Sequence, residues 1–277
     1  MRLLRLTAKV LLALIALVGI ALLALYLKTQ SMLAVAPYAP QAALLPGHVA
    51  EGARLARIMG CRGCHTDSLK GGDFLREPYV FRLVAPNLTH ARAKYDDAAW
   101  LRLFRTGAKR DGHLAVGMPI AGFQRLTDQD IANLVAFVRS VPTVDNPTLG
   151  TTHLYPLARV GLLTGKFRLE DIAGDAPDTP QLLAQRTTRD RGEHIALTTC
   201  TECHGRTLAG NSKMGAPPLG PMAHAYGPAE FARLLHSGKT LAGTDSTTGL
   251  MSEVARGRFA ALTDTEVAEL HRYLQAR

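Results

Sequence analysis

The chain has 277 residues, enough for two compact domains of about 100 residues each with a terminal segment and a linker besides. A hydrophobic share of 47% with a single Trp, 25 Gly and 15 Pro suits small helical domains joined by long loops. The formal charge of +9 includes Arg2, Arg5, Lys9 and Lys28 around an N-terminal apolar run; nine less these four leaves +5, dispersed rather than gathered in a stripe. That footprint excludes a nucleic-acid-binding reading, and the lack of recurring strand-length alternation excludes a mainly β architecture.

From Val10 to Leu27 there are 18 residues without a charge, mostly Leu, Ala, Ile and Val. As a helix they span about 27 Å at 1.5 Å per residue, close to the roughly 30 Å of a bilayer core. Basic residues stay on the cytoplasmic side, so the chain after Lys28 is expected across the membrane. A cleaved signal peptide, with Ala34-Val35-Ala36 as the cleavage site, is the rival reading. Its apolar run would be long against the usual stretch of about 7–15 residues, and Pro37 would follow the cut awkwardly. The expectation is a retained anchor over residues 1–30, in a bacterial inner membrane with the remainder on the periplasmic side.

The second half repeats the first in order and nearly in spacing. Glu51-Gly52-Ala53-Arg54-Leu55-Ala56 precedes Cys61, and Arg191-Gly192-Glu193-His194-Ile195-Ala196 precedes Cys200. Leu69 and Gly71 match Leu208 and Gly210, and Pro86-Asn87-Leu88 matches Pro217-Pro218-Leu219. Trp100 to Gly107 aligns with Phe231 to Gly238, each a helical segment closed by Gly, the first with Asp96 or Asp97 as its N-cap. Each copy then reaches a methionine, Met118 or Met251, and ends in a helix opened by Thr127 with Asp130 or by Thr263 with Glu266, the capping-box pattern. Ile131, Leu134, Val135 and Val138 lie on one face of the first closing helix; Val267, Leu270, His271 and Leu274 repeat the phase. Residues 47–142 and 187–277 are the expected domains, and 143–186 a linker in which Leu154 to Phe167 reads as a helix packed on one of them.

All four cysteines fall in two copies of one pentapeptide, Cys61-Arg62-Gly63-Cys64-His65 and Cys200-Thr201-Glu202-Cys203-His204. A lone Cys-x-x-Cys in a cytosolic protein points to zinc or a redox dithiol; the adjoining His points to covalent haem attachment. The spacing lets Cys61 and Cys64, or Cys200 and Cys203, form thioethers with one porphyrin edge while His65 or His204 turns to the iron. Two covalently bound haem c groups are therefore expected. The sixth ligand decides between electron transfer and small-molecule chemistry. Met118, in the loop Gly117-Met118-Pro119, is the candidate in the first domain, whereas Met59 lies too close to the proximal edge. In the second, Met251 holds the repeat-equivalent place, while Met214 and Met222 lie where the first copy has no methionine. His113 and His224 are lesser ligand candidates in loops near the distal side; His236 and His271 read as packed or surface helical residues. Arg82, Arg105 and Arg233 are candidates for haem propionates, and Pro86 and Pro217 for walls of the proximal faces.

With these motifs the chain resembles class I cytochromes c arranged in tandem, and more narrowly the membrane-attached multihaem cytochrome subunits of periplasmic alcohol, aldehyde and sugar-acid dehydrogenases. The resemblance rests on Ala85-Pro86-Asn87-Leu88-Thr89, on Arg105-Thr106-Gly107 leading to Asp111-Gly112 and Met118-Pro119, on Leu126-Thr127-Asp128, and on Gly192-Glu193. Those subunits usually carry three haem motifs, where this chain has two. The resemblance implies an all-α fold around each haem, Met-ligated low-spin iron, and passage of single electrons from a periplasmic dehydrogenase or other donor to the quinone pool, a soluble cytochrome or a terminal oxidase. The competing reading is a dihaem redox enzyme, peroxidase-like or thiosulfate-oxidising, with one accessible haem; a gas-binding sensor is a third. A methionine candidate in both repeats favours the carrier.

Overall fold

The computed structural model describes residues 2–40, 43–168 and 174–277. It is mainly helical and follows the repeat. Helix α1 (Arg2–Met32) contains an apolar 18-residue window of mean hydropathy 3.0, none of it buried against the rest of the chain. In the first half, α2 (Val49–Ile58) runs to Gly60, whose left-handed φ of +73° turns the chain into the short α3 (Cys61–His65). After a β-hairpin come α4 (Leu88–Ala91), α5 (Asp97–Thr106), α6 (Ile120–Phe123) and α7 (Asp128–Ser140). The cap of α5 is Asp96, which accepts from the Ala99 N–H, and Gly107 in left-handed conformation ends it.

The connecting segment holds α8 (Pro156–Leu163) and α9 (Pro180–Thr187), each with Pro in its first turn, where no amide hydrogen is needed. The second half then repeats the pattern. Helix α10 (Arg191–Ile195) passes through a π-helical turn at Ala196–Cys200 into α11 (Thr201–His204), followed by α12 (Leu219–Ala225), α13 (Pro228–Ser237), α14 (Leu250–Gly257) and α15 (Asp264–Gln275). Both expected capping boxes form, Thr127 with Asp130 and Thr263 with Glu266.

Within each half the first helix crosses the last at backbone distance. A Cβ on Gly52 would stand 1.8 Å from the Asn133 carbonyl oxygen and 2.8 Å from Cβ of Phe137; on Gly192 it would stand 2.2 Å from the Glu269 oxygen and 2.9 Å from Cβ of Tyr273. Glycine is thus required at both crossings for steric reasons. Two apolar cores result. Leu55, Trp100, Ile131 and Val135 belong to the first, and Ile195, Phe231, Leu270 and Leu274 to the second. Ile58 of the first half is built into the second core.

Three features differ from the sequence reading. A small antiparallel sheet is present: β1 (Gly72–Glu77) pairs with β2 (Phe81–Ala85), and β3 (His153–Leu154) adds to the other edge of β2. β1 is broken by a register shift between Asp73 and Leu75, β2 runs Phe-Arg-Leu-Val-Ala with three apolar residues in succession, and β3 has two residues, so none shows a sustained alternation. The helix expected over Leu154 to Phe167 is shorter, because Leu154 pairs with Phe81 in the sheet and Pro156 sets the helix start. His224 lies within α12 rather than in a loop.

The halves meet through repeat-equivalent residues. Arg54 donates to both carboxylate oxygens of Glu266, at 2.7 and 3.0 Å, while His194 Nε2 lies 2.9 Å from Asp130 Oδ2. Arg54 and His194 occupy matching positions, as do Asp130 and Glu266, so each half offers its first helix to the other's capping box. Such reciprocity is the mark of an approximate twofold axis. Burial would raise the Glu266 carboxyl, but hydrogen bonds from Arg54, the Thr263 amide and Arg191 outweigh it and hold the group at about 2, against an ordinary 4.5. A depressed carboxyl stabilises the fold above its unfolded-state value and loses that contribution as pH falls through the folded one. The stability advantage of the parent over Glu266→Gln, measured by thermal melting, should therefore be full above pH 4.5 and shrink towards pH 2. A difference constant across that range would show that the charge on Glu266 contributes nothing.

Candidate functional site

The two Cys-x-x-Cys-His segments fold alike because the loop after each is tied in the same way. The Gly71 amide donates to the His65 carbonyl at 3.0 Å and the Gly210 amide to that of His204 at 2.9 Å. Leu88 closes on Leu69, and Leu219 on Leu208, each at 2.9 Å. Leu69 and Leu208 adopt φ of +58° and +62°, a conformation unusual for a bulky residue; both side chains are buried, which holds them there.

Each histidine is oriented by a carbonyl. His65 Nδ1 lies 2.8 Å from the Pro86 oxygen and His204 Nδ1 2.7 Å from the Pro217 oxygen. A carbonyl only accepts, so Nδ1 carries the proton and Nε2 keeps the lone pair. Burial lowers the basicity of both imidazoles, with the carbonyl bond opposing it, which favours the neutral form that a metal needs. Pro86 and Pro217 thus act through their backbone oxygens, a role that the sequence reading did not contain.

Cys61, Cys64, His65, Met59 and Met118 line a cavity of about 800 Å³, walled by Trp100, Phe104, Phe123 and Leu134. Cys200, Cys203, His204 and Met251 line a second of about 350 Å³, together with Met214 and Met222. Burial pushes the Cys61 and Cys200 thiols up to about 11. Cysteine pair, carbonyl-held imidazole and methionine meet in each cavity.

The family model described as cytochrome c matches residues 49–142 and 190–277. The chain belongs to the cytochrome c family. It is also 27% identical over 171 residues to the fructose dehydrogenase cytochrome subunit of Gluconobacter japonicus, an alignment that covers 56% of this chain. The match spans 34%, about a third, of that relative's length. Membership implies covalently held haem c, and the residues of this cytochrome fit that group: thiols and a lone-pair imidazole nitrogen face an apolar cavity in each half.

Other sequence candidates are placed elsewhere. Arg105 is 3% exposed and is committed to the Gln124 and Leu126 carbonyls and to Asp128. Arg82 pairs with Asp73, and Arg233 donates to the Thr240 carbonyl. None of the three lines either cavity. His271 is a core residue, stacked on Phe231 at 4.4 Å and bonded to the Ala223 carbonyl. His236 faces Asp264. His113 lines the first cavity, whereas His224 does not reach the second.

One residue that the sequence reading missed belongs to both sites. Arg258 lines both cavities, packs over Gly60, where a Cβ would stand 2.2 Å from its guanidinium carbon, and donates to Glu202 at 2.7 Å. Burial raises the Cys64 and Cys203 thiols; Glu202 adds to the rise and Arg258 opposes it at both. The two attachment motifs therefore share one ion pair. A nearby positive charge disfavours the more positive oxidised state of a redox centre, and a negative charge favours it. Arg258→Gln should lower, and Glu202→Gln raise, the midpoint potential of haem in these sites, each by on the order of tens of millivolts for a partly buried charge at an effective dielectric of about 20. A potentiometric titration reads both; shifts of the same sign would remove the pair from the electrostatics of the site.

Proposed function

We propose that this chain is a dihaem electron carrier with no substrate of its own. Haem is held through Cys61 and Cys64 in a domain over 47–142 and through Cys200 and Cys203 in a domain over 187–277, joined by residues 143–186. His65 and His204 are the proximal iron ligands, and Met118 and Met251 the distal ones. The observation that carries the reading is the repetition in both cavities of thiol pair, carbonyl-oriented imidazole and thioether.

When bound, haem c supplies a one-electron iron couple. The chain's own part is to keep the imidazoles neutral and aimed, to hold the methionines at the cavity walls and to exclude water with aromatic and aliphatic side chains. Met118 or Met251 bound to iron would leave no room for peroxide or thiosulfate to reach it, and would favour the reduced state. The apolar α1 supports attachment to a bacterial inner membrane, with its basic start on the cytoplasmic side and the haem domains on the periplasmic side. The likeness to a dehydrogenase cytochrome subunit supports a periplasmic dehydrogenase as donor. The acceptor would be the quinone pool, a soluble cytochrome or a terminal oxidase.

Mass spectrometry of the denatured protein should retain the mass of two haems, and one alone would overturn the dihaem assignment. Carbon monoxide should fail to bind the reduced parent and should bind stoichiometrically at one haem in Met118→Ala and in Met251→Ala, read by visible spectroscopy. Binding to the parent would favour the enzyme reading. An unchanged spectrum in Met251→Ala would transfer that ligand role to Met214 or Met222, which line the same cavity.

A further inference from the structure

Helix α8 (Pro156–Leu163) is apolar on both faces. Ala158, Gly161 and Leu162 are buried against the body of the protein, whereas Leu157, Val160 and Leu163 on the opposite face remain 60, 44 and 50% exposed. A helix in water usually presents polar residues outward. Here the only charge in the helix, Arg159, is drawn off that face: it donates to Thr29 Oγ1 at 2.7 Å and lies 4.4 Å over the Tyr26 ring.

Those partners locate α8. Tyr26 and Thr29 lie where the uncharged run of α1 ends, between Leu27 and Lys28. Along α1 the apolar surface is bare, and α8 packs beside it at that level, so the exposed face of α8 continues the surface of the span. Exposed aromatic residues adjoin it. Tyr155 precedes the helix and bonds through its amide to Val80, at the end of the hairpin turn that carries the 82% exposed Tyr79. Phe167 follows the helix and packs edge-on against Phe81. Tyrosines at the end of an apolar span that is followed by Lys28 are the composition of a membrane–water boundary.

We propose that α8 lies in the surface of the bilayer that α1 crosses, with Leu157, Val160 and Leu163 among the lipid chains and Arg159, Tyr26, Tyr79 and Tyr155 at headgroup level. The proposal rests on the reading of α1 as a membrane span. A single spanning helix leaves the body free to swivel, whereas a second contact in the interface holds it in one orientation. Leu22, Leu25 and Tyr26 of α1, with Tyr155 and Arg159, line the first cavity, so that orientation presents the first haem site to the membrane surface.

The test uses the full haem-loaded chain in nanodiscs of phosphatidylcholine and phosphatidylglycerol. Spin labels are placed singly at Val160→Cys, at Leu163→Cys and, as the control for α1, at Ile15→Cys. Power saturation compares collision with oxygen, which concentrates in lipid, and with a water-soluble nickel chelate. Oxygen should exceed nickel several-fold at all three positions. A lipid-embedded label at 15 with nickel-accessible labels at 160 and 163 overturns the proposal and leaves the anchor intact. Labels at 160 and 163 shielded from both probes overturn it in favour of a protein partner on that face. A label at 15 in water removes the membrane reading itself, and this proposal with it.

Discussion

Everything in each half depends on two helices crossing at backbone contact. Gly52 and Gly192 carry no Cβ, and only for that reason can α2 lie on α7, and α10 on α15, with the carbonyls of Asn133 and Glu269 at the crossing. The crossing sets where α2 ends, hence where Gly60 turns the chain, hence where Cys61, Cys64 and His65 stand. Its counterpart does the same for Cys200, Cys203 and His204. The histidine bonds to Pro86 and Pro217 then fix ring orientation from the other side, through loops held by buried leucines in left-handed conformation. A side chain at either glycine would part the helices and move the attachment segment with them.

The two halves share an approximate twofold relation, and the departures from it lie at the attachment sites. Matching positions make the bridges Arg54–Glu266 and His194–Asp130. Four residues before each Leu-Thr-Asp, however, the first half has Gly122 and the second Arg258. A Cβ on Gly122 would stand 2.6 Å from the Thr198 carbonyl oxygen, so one side of the interface closes by backbone contact. On the other side a guanidinium fills the space over Gly60 and reaches Glu202, where the first motif has Gly63. The sequence repeat thus yields a pair of unequal sites sharing one ion pair. The surroundings of the two cavities are therefore unequal in charge.

The inequality also has a spatial side. The larger cavity is bordered by α1 and by the segment around Tyr155, and the smaller one by neither. The connecting segment between the halves, which reads as a spacer, instead carries the strand that completes the sheet of the first half and the helix that packs on α1. It ties the first half to the N-terminal helix, so the two sites stand in different relation to it.

By itself the sequence determined the covalent and periodic features: cysteine pairs with adjoining histidines, capping boxes, helix-ending glycines, an apolar span and the order of two copies. These are legible because each depends on residues within a few positions of one another, where spacing is already geometry. Tertiary structure alone decided what depends on distant partners. The need for glycine at 52 and 192 comes from Asn133 and Glu269, about 80 positions further along. The partners of Arg105, Asp128 and two carbonyls, are about 20 positions away from it, and Arg258 gave no signal because both Glu202 and Gly60 are remote from it in the chain. The sheet escaped notice because neither Gly72–Glu77 nor Phe81–Ala85 alternates apolar with polar residues, and the third strand has only two residues. An arginine's partner is set by which backbone folds beside it, and no local pattern contains that information.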